Sequence, residues 1–316
     1  MIRFVLTRLL LLVAGMIVAS ALIFFALRVL PGDVAQVVAG SNGTPEQVER
    51  IREQLGLDRS ILAQYADWIG GLLRGDLGAS LVTGTPVARE LLEKAQVTVP
   101  LTLMSLSIAL IVSVPLGILS ALRRSRPSGA VIGASAQAVA AVPVVWAGML
   151  LVILFSVTLG WLPPQGFPRA GWAEPLSAFR SLLLPAITIG VVEGAVLLRF
   201  VRSAVLEATG QDYVRTAAAI GLTRTRALLT HGLPVAALSV VSVLALQVAA
   251  LLVGAVVVEQ LFGLPGIGRM LVADVGNRDL TKVQGEILVL TGVVLVLGAL
   301  IDIVHRVVDP RHREQR

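Results

Sequence analysis

The amino-acid sequence predicts an all-α integral membrane protein with six transmembrane helices. Two observations carry that prediction. Of 316 residues, 56% are hydrophobic and only 15% charged, with a mean hydropathy of +0.86, which is more apolar surface than a soluble fold can hide. The apolar residues are also gathered into runs long enough to cross a hydrocarbon layer of about 30 Å. The six predicted spans are 9–30, 98–122, 131–159, 182–205, 235–258 and 285–308.

The first span has no small-residue cleavage pattern and runs on to Leu30-Pro31-Gly32, so residues 1–30 read as a tail and retained helix rather than a signal peptide. Residues 31–97 read as an extracytoplasmic helical segment. Thr44-Pro45-Glu46-Gln47 is a capping box with proline at the first helical position. Val48, Ile51 and Leu55 then share one face, and Gly56 stops the helix. Ile61, Leu62, Tyr65, Trp68, Ile69 and Leu72 mark a second amphipathic helix whose tyrosine and tryptophan suit a membrane interface. The segment reads as a packed outer cap, compatible with a docking surface. Residues 98–308 form the transmembrane core, including a cytoplasmic loop at 206–234, and 309–316 a cytoplasmic tail.

The net charge of +6 reflects topology. Fourteen arginines fall in the N-terminal tail, the 123–130 loop, the 199–233 segment and the C-terminus, against five basic residues in the loops at 160–181 and 259–284. That asymmetry places both termini in the cytoplasm. Without a basic patch interleaved with aromatics, nucleic acid is excluded as a partner; the lipid bilayer is the surrounding medium. The absence of cysteine excludes thiolate chemistry and Cys-ligated metal. His231, His305 and His312 are spaced too loosely for a metal site. The two lysines, Lys94 and Lys282, follow Glu93 and Thr281, so the chain has no phosphate-binding Gly-Lys-Ser/Thr loop. Gly263, Gly266 and Gly268 follow an apolar helix and read as a tight outer turn, not a dinucleotide loop.

The stretch from Asp212 to Pro234 interrupts the apolar pattern. Asp212 suits a helix start, where its carboxylate meets the positive dipole end. Val214, Ala217, Ala218 and Gly221 recur at helical spacing and form a narrow face of small residues. Gly221 offers a left-handed stop, and Thr223 caps a second helix carrying Arg224 and Arg226. The expectation is a short cytoplasmic helix over 212–222, shaped to be gripped by a partner protein. A helix resting on lipid headgroups would instead show large apolar anchors and lysines.

This stretch resembles the cytoplasmic loop of bacterial ABC-importer permeases, whose pattern is Glu-Ala-Ala, three residues, Gly, nine residues, Ile-x-Leu-Pro. Here Gly221 is followed by nine residues and then His231-Gly232-Leu233-Pro234, with Arg215-Thr216-Ala217 standing where the pattern has Glu-Ala-Ala. Asp212-Tyr213-Val214-Arg215-Thr216-Ala217 is similar to the form used in the peptide/nickel permease subfamily, B-type subunit. So are Phe4 to Leu10, Leu55-Gly56-Leu57-Asp58, Gly75 to Ser80, Leu162-Pro163-Pro164-Gln165-Gly166, Glu259 to Gly268, and Asp309-Pro310-Arg311-His312-Arg313. The resemblance implies the type I ABC importer permease fold in a bacterial cell membrane. It further implies a homologous permease partner, two ATP-binding subunits or one fused ATPase, and an extracytoplasmic substrate-binding lipoprotein. ATP and magnesium would bind to the ATPase subunits, with no cofactor on this chain. Asp212, Tyr213, Arg215, Thr216, Ala217, Ala218, Gly221, Leu222 and Arg226 would form the contact through which hydrolysis drives transport.

Polar groups at membrane depth are costly and face a bundle interior or a wet path. Gln137, Glu193 and Gln247 are therefore candidates for the translocation path, and Glu193 is expected either to meet a cationic end of the solute or to bond a neighbouring helix. Phe262, Leu264, Pro265 and Ile267 are apolar yet lie in a turn, so they are expected to tuck into the outer mouth as a gate. The solute expected is a di- or oligopeptide; nickel chelates and glutathione-like molecules are alternatives. An ion-coupled secondary transporter with Glu193 as its ion site is the competing class, but its discontinuous helices are not evident in the sequence.

Overall fold

The structure is a computed structural model. It describes residues 2–29, 34–40 and 43–308, without the side chains of Ile2, Tyr213, Arg215, Ala218, Arg224, Ala245 and Val308. The exit of the first span at Leu30-Pro31-Gly32 and the 309–316 tail lie outside the described residues. The named elements are all helical: α1 (Ile2–Val29), α2 (Val34–Ala39), α3 (Pro45–Gln54), α4 (Ile61–Leu73), α5 (Val87–Leu122), α6 (Pro127–Ala140), α7 (Val144–Val152), α8 (Pro175–Thr209), α9 (Asp212–Ala219), α10 (Arg224–Ala227), α11 (Leu233–Leu261), α12 (Ile267–Gly276) and α13 (Leu280–Val308). Wider π-helical turns extend α7 over Ile153–Thr158 and fill Leu228–Gly232 before α11.

Two compact units emerge. One comprises Met1–Gln96 and Gly266–Val296, the other Val97–Pro265 and Leu297–Arg316. In the first, α4 lies on α1: Tyr65 shares a 2.9 Å hydrogen bond with Ser20, and buried Phe24 stacks on Trp68 and meets Tyr65 edge-on. The paired aromatics thus pack α4 on α1. Thr44 and Gln47 form the expected reciprocal cap of α3, and Gly56 ends that region at φ +63°. Close to α13, a side chain at Gly15 would meet Leu295 at 3.4 Å, and one at Gly292 would meet Met16 at 3.5 Å, so small residues bring α1 and α13 together.

In the second unit α5 and α8 cross closely. A Cβ at Gly190 would lie 2.7 Å from the Ser105 carbonyl, and one at Gly117 would lie 2.7 Å from Val201. Without a hydrophobic drive between helices in lipid, such backbone approach is what lets them associate. The 36 residues of α5 reach about 54 Å at the helical rise, well beyond the bilayer core, so this helix starts earlier than expected. The core gathers Val97, Leu101, Leu182, Leu184, Ile189, Leu251, Val258, Phe262 and Leu264. Elsewhere Leu103, Ile111, Val131 and Trp146 are exposed, as side chains facing lipid should be.

Three expectations need correction. The third span, expected as one helix over 131–159, is broken: α6 and α7 meet at a 98° bend. Val142 N–H bonds back to Val139 in a tightened turn, and Pro143, which has no N–H to donate, caps the new helix instead of continuing the old one. A discontinuous helix is therefore present, contrary to the reading from sequence. Secondly, the 259–284 connection is not just a turn, since it contains α12. Lastly, the helix expected over 212–222 ends at Ala219.

Candidate functional site

The interrupting loop is built from local signals. Helix α8 ends at Thr209, with Gly210 as its C-cap. Helix α9 follows at once and closes on a left-handed stop: Leu222 N–H reaches back to Ala217 carbonyl at 3.2 Å while Gly221 sits at φ +106°. This six-to-one closure, with Leu222 packed on Ala217, has the form of a Schellman cap. Thr223 then caps α10, accepting from Arg226 N–H at 3.3 Å through its hydroxyl.

Two members of the expected small-residue face are covered within the chain, whereas Gly221 is exposed. Val214 and Ala217 are 2% and 5% exposed, packed against Ala227 and Leu222 of the same chain. Val214 and Ala217 here let α9 close on its own neighbour. Outward stand Asp212, Thr216, Ala219, Arg226 and, at the apex, Ile220 at 79% exposure. Ile220 was missed from sequence; its isoleucine just before the glycine stop was the available signal. The side chains of Tyr213, Arg215 and Ala218 lie outside the described residues, although their backbone is helical. Glycine at 232 lets three helices converge: a Cβ there would meet Leu228 at 2.6 Å, Val214 at 3.4 Å and Ala208 at 3.5 Å. Helix α9 is thereby seated against the end of α8 and the approach to α11.

Glu193 and Gln247 come together. Gln247 Nε2 donates to Glu193 Oε2 at 2.5 Å and to the Glu193 carbonyl at 3.3 Å. Glu193 lines a cleft of about 530 Å³ with Val144 of α7, Ile189 and Val192 of α8, and Leu246, Ala249, Ala250, Val253, Gly254 and Val257 of α11. Gln137 does not join them. It is exposed on α6 and accepts from Arg199 at 3.2 Å.

Phe262 and Leu264 do tuck inward, fully buried in the core of the second unit, where the Phe262 carbonyl accepts from Gly166 N–H at 2.8 Å. Pro265 is half-buried. Ile267 belongs to the first unit, packed with Val87, Leu91 and Met270. These residues are packed on the helices of their own units.

Two buried polar sets escaped the sequence reading. Thr98 donates to buried Glu259 at 2.6 Å. In the first unit, buried Lys282 lies 2.7 Å from Glu90 and 2.8 Å from Asp274. Asp279 accepts from Ser80 at 2.5 Å and from Leu81 N–H at 3.2 Å. The signal was available in part, since a lysine opening an apolar helix one turn before Glu286 demands a partner.

Residues 113–314 match the family described as binding-protein-dependent transport system inner membrane component, and residues 1–102 match its N-terminal membrane component. A putative peptide transport system permease protein of Brucella abortus (strain 2308) is 38% identical over 302 residues, 94% of this chain and 95% of that protein. The dipeptide transport system permease protein of Escherichia coli (strain K12) is 34% identical across the whole of both chains. The glutathione transport system permease protein of Escherichia coli O6:H1 is 35% identical over 99% of each.

Proposed function

The chain belongs to the family of binding-protein-dependent transport system inner membrane components, and from that premise we propose that it is one of two homologous permease subunits of an ATP-driven importer of peptides. End-to-end similarity to peptide and dipeptide permeases is the observation that carries this reading. A permease is an inner-membrane, multi-pass subunit, and the apolar helices of this chain accord with that. In the proposed assembly both termini and the 206–234 loop face the cytoplasm, and residues 31–97 lie outside beneath a substrate-binding lipoprotein. Two ATP-binding subunits, or one fused ATPase, hold ATP and magnesium; this chain holds neither and hydrolyses nothing itself.

The mechanism follows from how α9 is seated. When the ATPases close, motion is delivered to the exposed apex around Ile220, with Asp212, Thr216 and Arg226 beside it. Because Val214 is wedged against α8 and the approach to α11, the push passes to both long helices through a contiguous contact. The cleft between α8 and α11, which holds Glu193, then changes its access. Similarity to a glutathione permease keeps glutathione-like solutes as an alternative cargo, alongside nickel chelates.

Reconstitution tests the reading. Proteoliposomes holding the four membrane and ATPase partners should take up trialanine only with ATP and the binding protein. Uptake driven by an ion gradient without ATP would overturn the proposal in favour of a secondary transporter, the class for which the broken α6–α7 pair is a mark.

A further inference from the structure

We propose that Glu193, positioned by Gln247, is a specificity-determining carboxylate that selects solutes presenting a cationic group, the free α-ammonium of a short peptide. The inference rests on the reading of the chain as a peptide permease and names the feature of the peptide that its cleft takes.

Three observations converge. Apart from Glu193, the walls of the cleft consist of aliphatic residues and glycine, so this carboxylate is the charge that an entering solute meets there. Gln247 is 4% exposed and clamps the glutamate twice, at Oε2 and at the main-chain carbonyl. A buried amide held at two points cannot swing away, and it fixes the carboxylate without neutralising it, as supporting hydrogen bonds do in a preorganised site. Glu193 Oε1 has no hydrogen-bond partner among the described residues.

An ammonium entering the cleft exchanges its water for a charge-assisted bond at Oε1, with aliphatic walls around the first residue of the peptide. A neutral, acetylated terminus removes that bond and leaves the carboxylate unpaired. A site built for a charged donor rejects the analogue lacking it more strongly than an apolar pocket rejects a missing methylene. Tight capture is not required, because a path must also release its cargo.

The experiment uses the assembled transporter in proteoliposomes without the binding protein, so that selection by that protein plays no part. The chain has no cysteine, so Val253→Cys places a single thiol of this chain on the cleft wall, and its alkylation by N-ethylmaleimide is followed by mass spectrometry. Trialanine at millimolar concentration should slow alkylation about tenfold, in keeping with a hydrogen bond to a charged group, and N-acetyl-trialanine should not. Glu193→Gln should abolish the protection, Glu193→Asp should keep part of it, and Gln247→Met should weaken it while the subunits still co-purify. Equal protection by both peptides, protection that survives Glu193→Gln, or no protection by either would overturn the proposal. ATP-dependent uptake of trialanine by the same preparation, with binding protein added, separates the outcomes. If uptake fails, the peptide-permease reading fails; if uptake proceeds without Glu193-dependent protection, only this inference fails.

Discussion

Lys282→Met is expected to destabilise the unit formed by Met1–Gln96 and Gly266–Val296 by about 3–5 kcal/mol, the usual cost of breaking a buried ion pair from one side. Lys282 Nζ bridges Glu90 of α5 and Asp274 of α12 at 2.7 and 2.8 Å, with its side chain 6% exposed. Removing it leaves the Glu90 and Asp274 carboxylates without their shared counter-charge. Glu286, fully buried one turn along α13, belongs to the same polar cluster and interacts with both Asp274 and Lys282. The measurement is the thermal midpoint of the detergent-solubilised complex. Adding Asp274→Asn to Lys282→Met should recover part of the loss, since the two sites share one network and cannot act additively. A wild-type midpoint for Lys282→Met would remove the cluster from any structural role.

Gly221→Val is expected to uncouple hydrolysis from import. At φ +106° a β-branched residue is strained by about 1–3 kcal/mol. Among the described residues, its chain neighbours aside, no atom lies within 4 Å of where its Cβ would sit, so the effect is conformational, not a clash. Relief of that strain opens the Schellman closure, frees Leu222 from Ala217 and lets Ile220 move off the apex. The membrane helices are untouched, so the complex should still assemble. Solute import per ATP hydrolysed should fall about tenfold, the equivalent of roughly 1.4 kcal/mol, with Gly221→Ala falling less. Assembly with wild-type import per ATP would show that the left-handed stop is dispensable.

Features written within a few consecutive residues were legible in the sequence. The Thr44–Gln47 capping box, the stops at Gly56 and Gly221, and the Thr223 cap all form as the local chemistry dictates. The spans were legible for the same reason, since lipid leaves little choice but helix. What escaped depends on distant partners. Lys282 and Glu90 are 192 positions apart, and Thr98 and Glu259 are 161 apart; no periodicity encodes such pairs. The Glu193–Gln247 bond, 54 positions apart, was foreseen only as two separate polar residues. Proline was ambiguous: Pro100, Pro115 and Pro185 lie inside continuous helices, whereas Pro143 starts a new one after a tightened turn. Val214 and Ala217 on α9, read from spacing as part of a face for a partner, pack on Ala227 and Leu222 of this chain, a contact that spacing alone does not encode.

In the proposed assembly the apex of the 206–234 loop touches the ATPase. Ile220→Cys would introduce the sole cysteine of this chain, at a position 79% exposed. In the assembled transporter, a short maleimide–photoreactive linker attached there should cross-link to an ATP-binding subunit, with a yield that changes between the ATP-bound and nucleotide-free complexes. A cross-link confined to lipid or to the partner permease, or labelling of Ile220→Cys only from outside sealed cells, would rule that contact out.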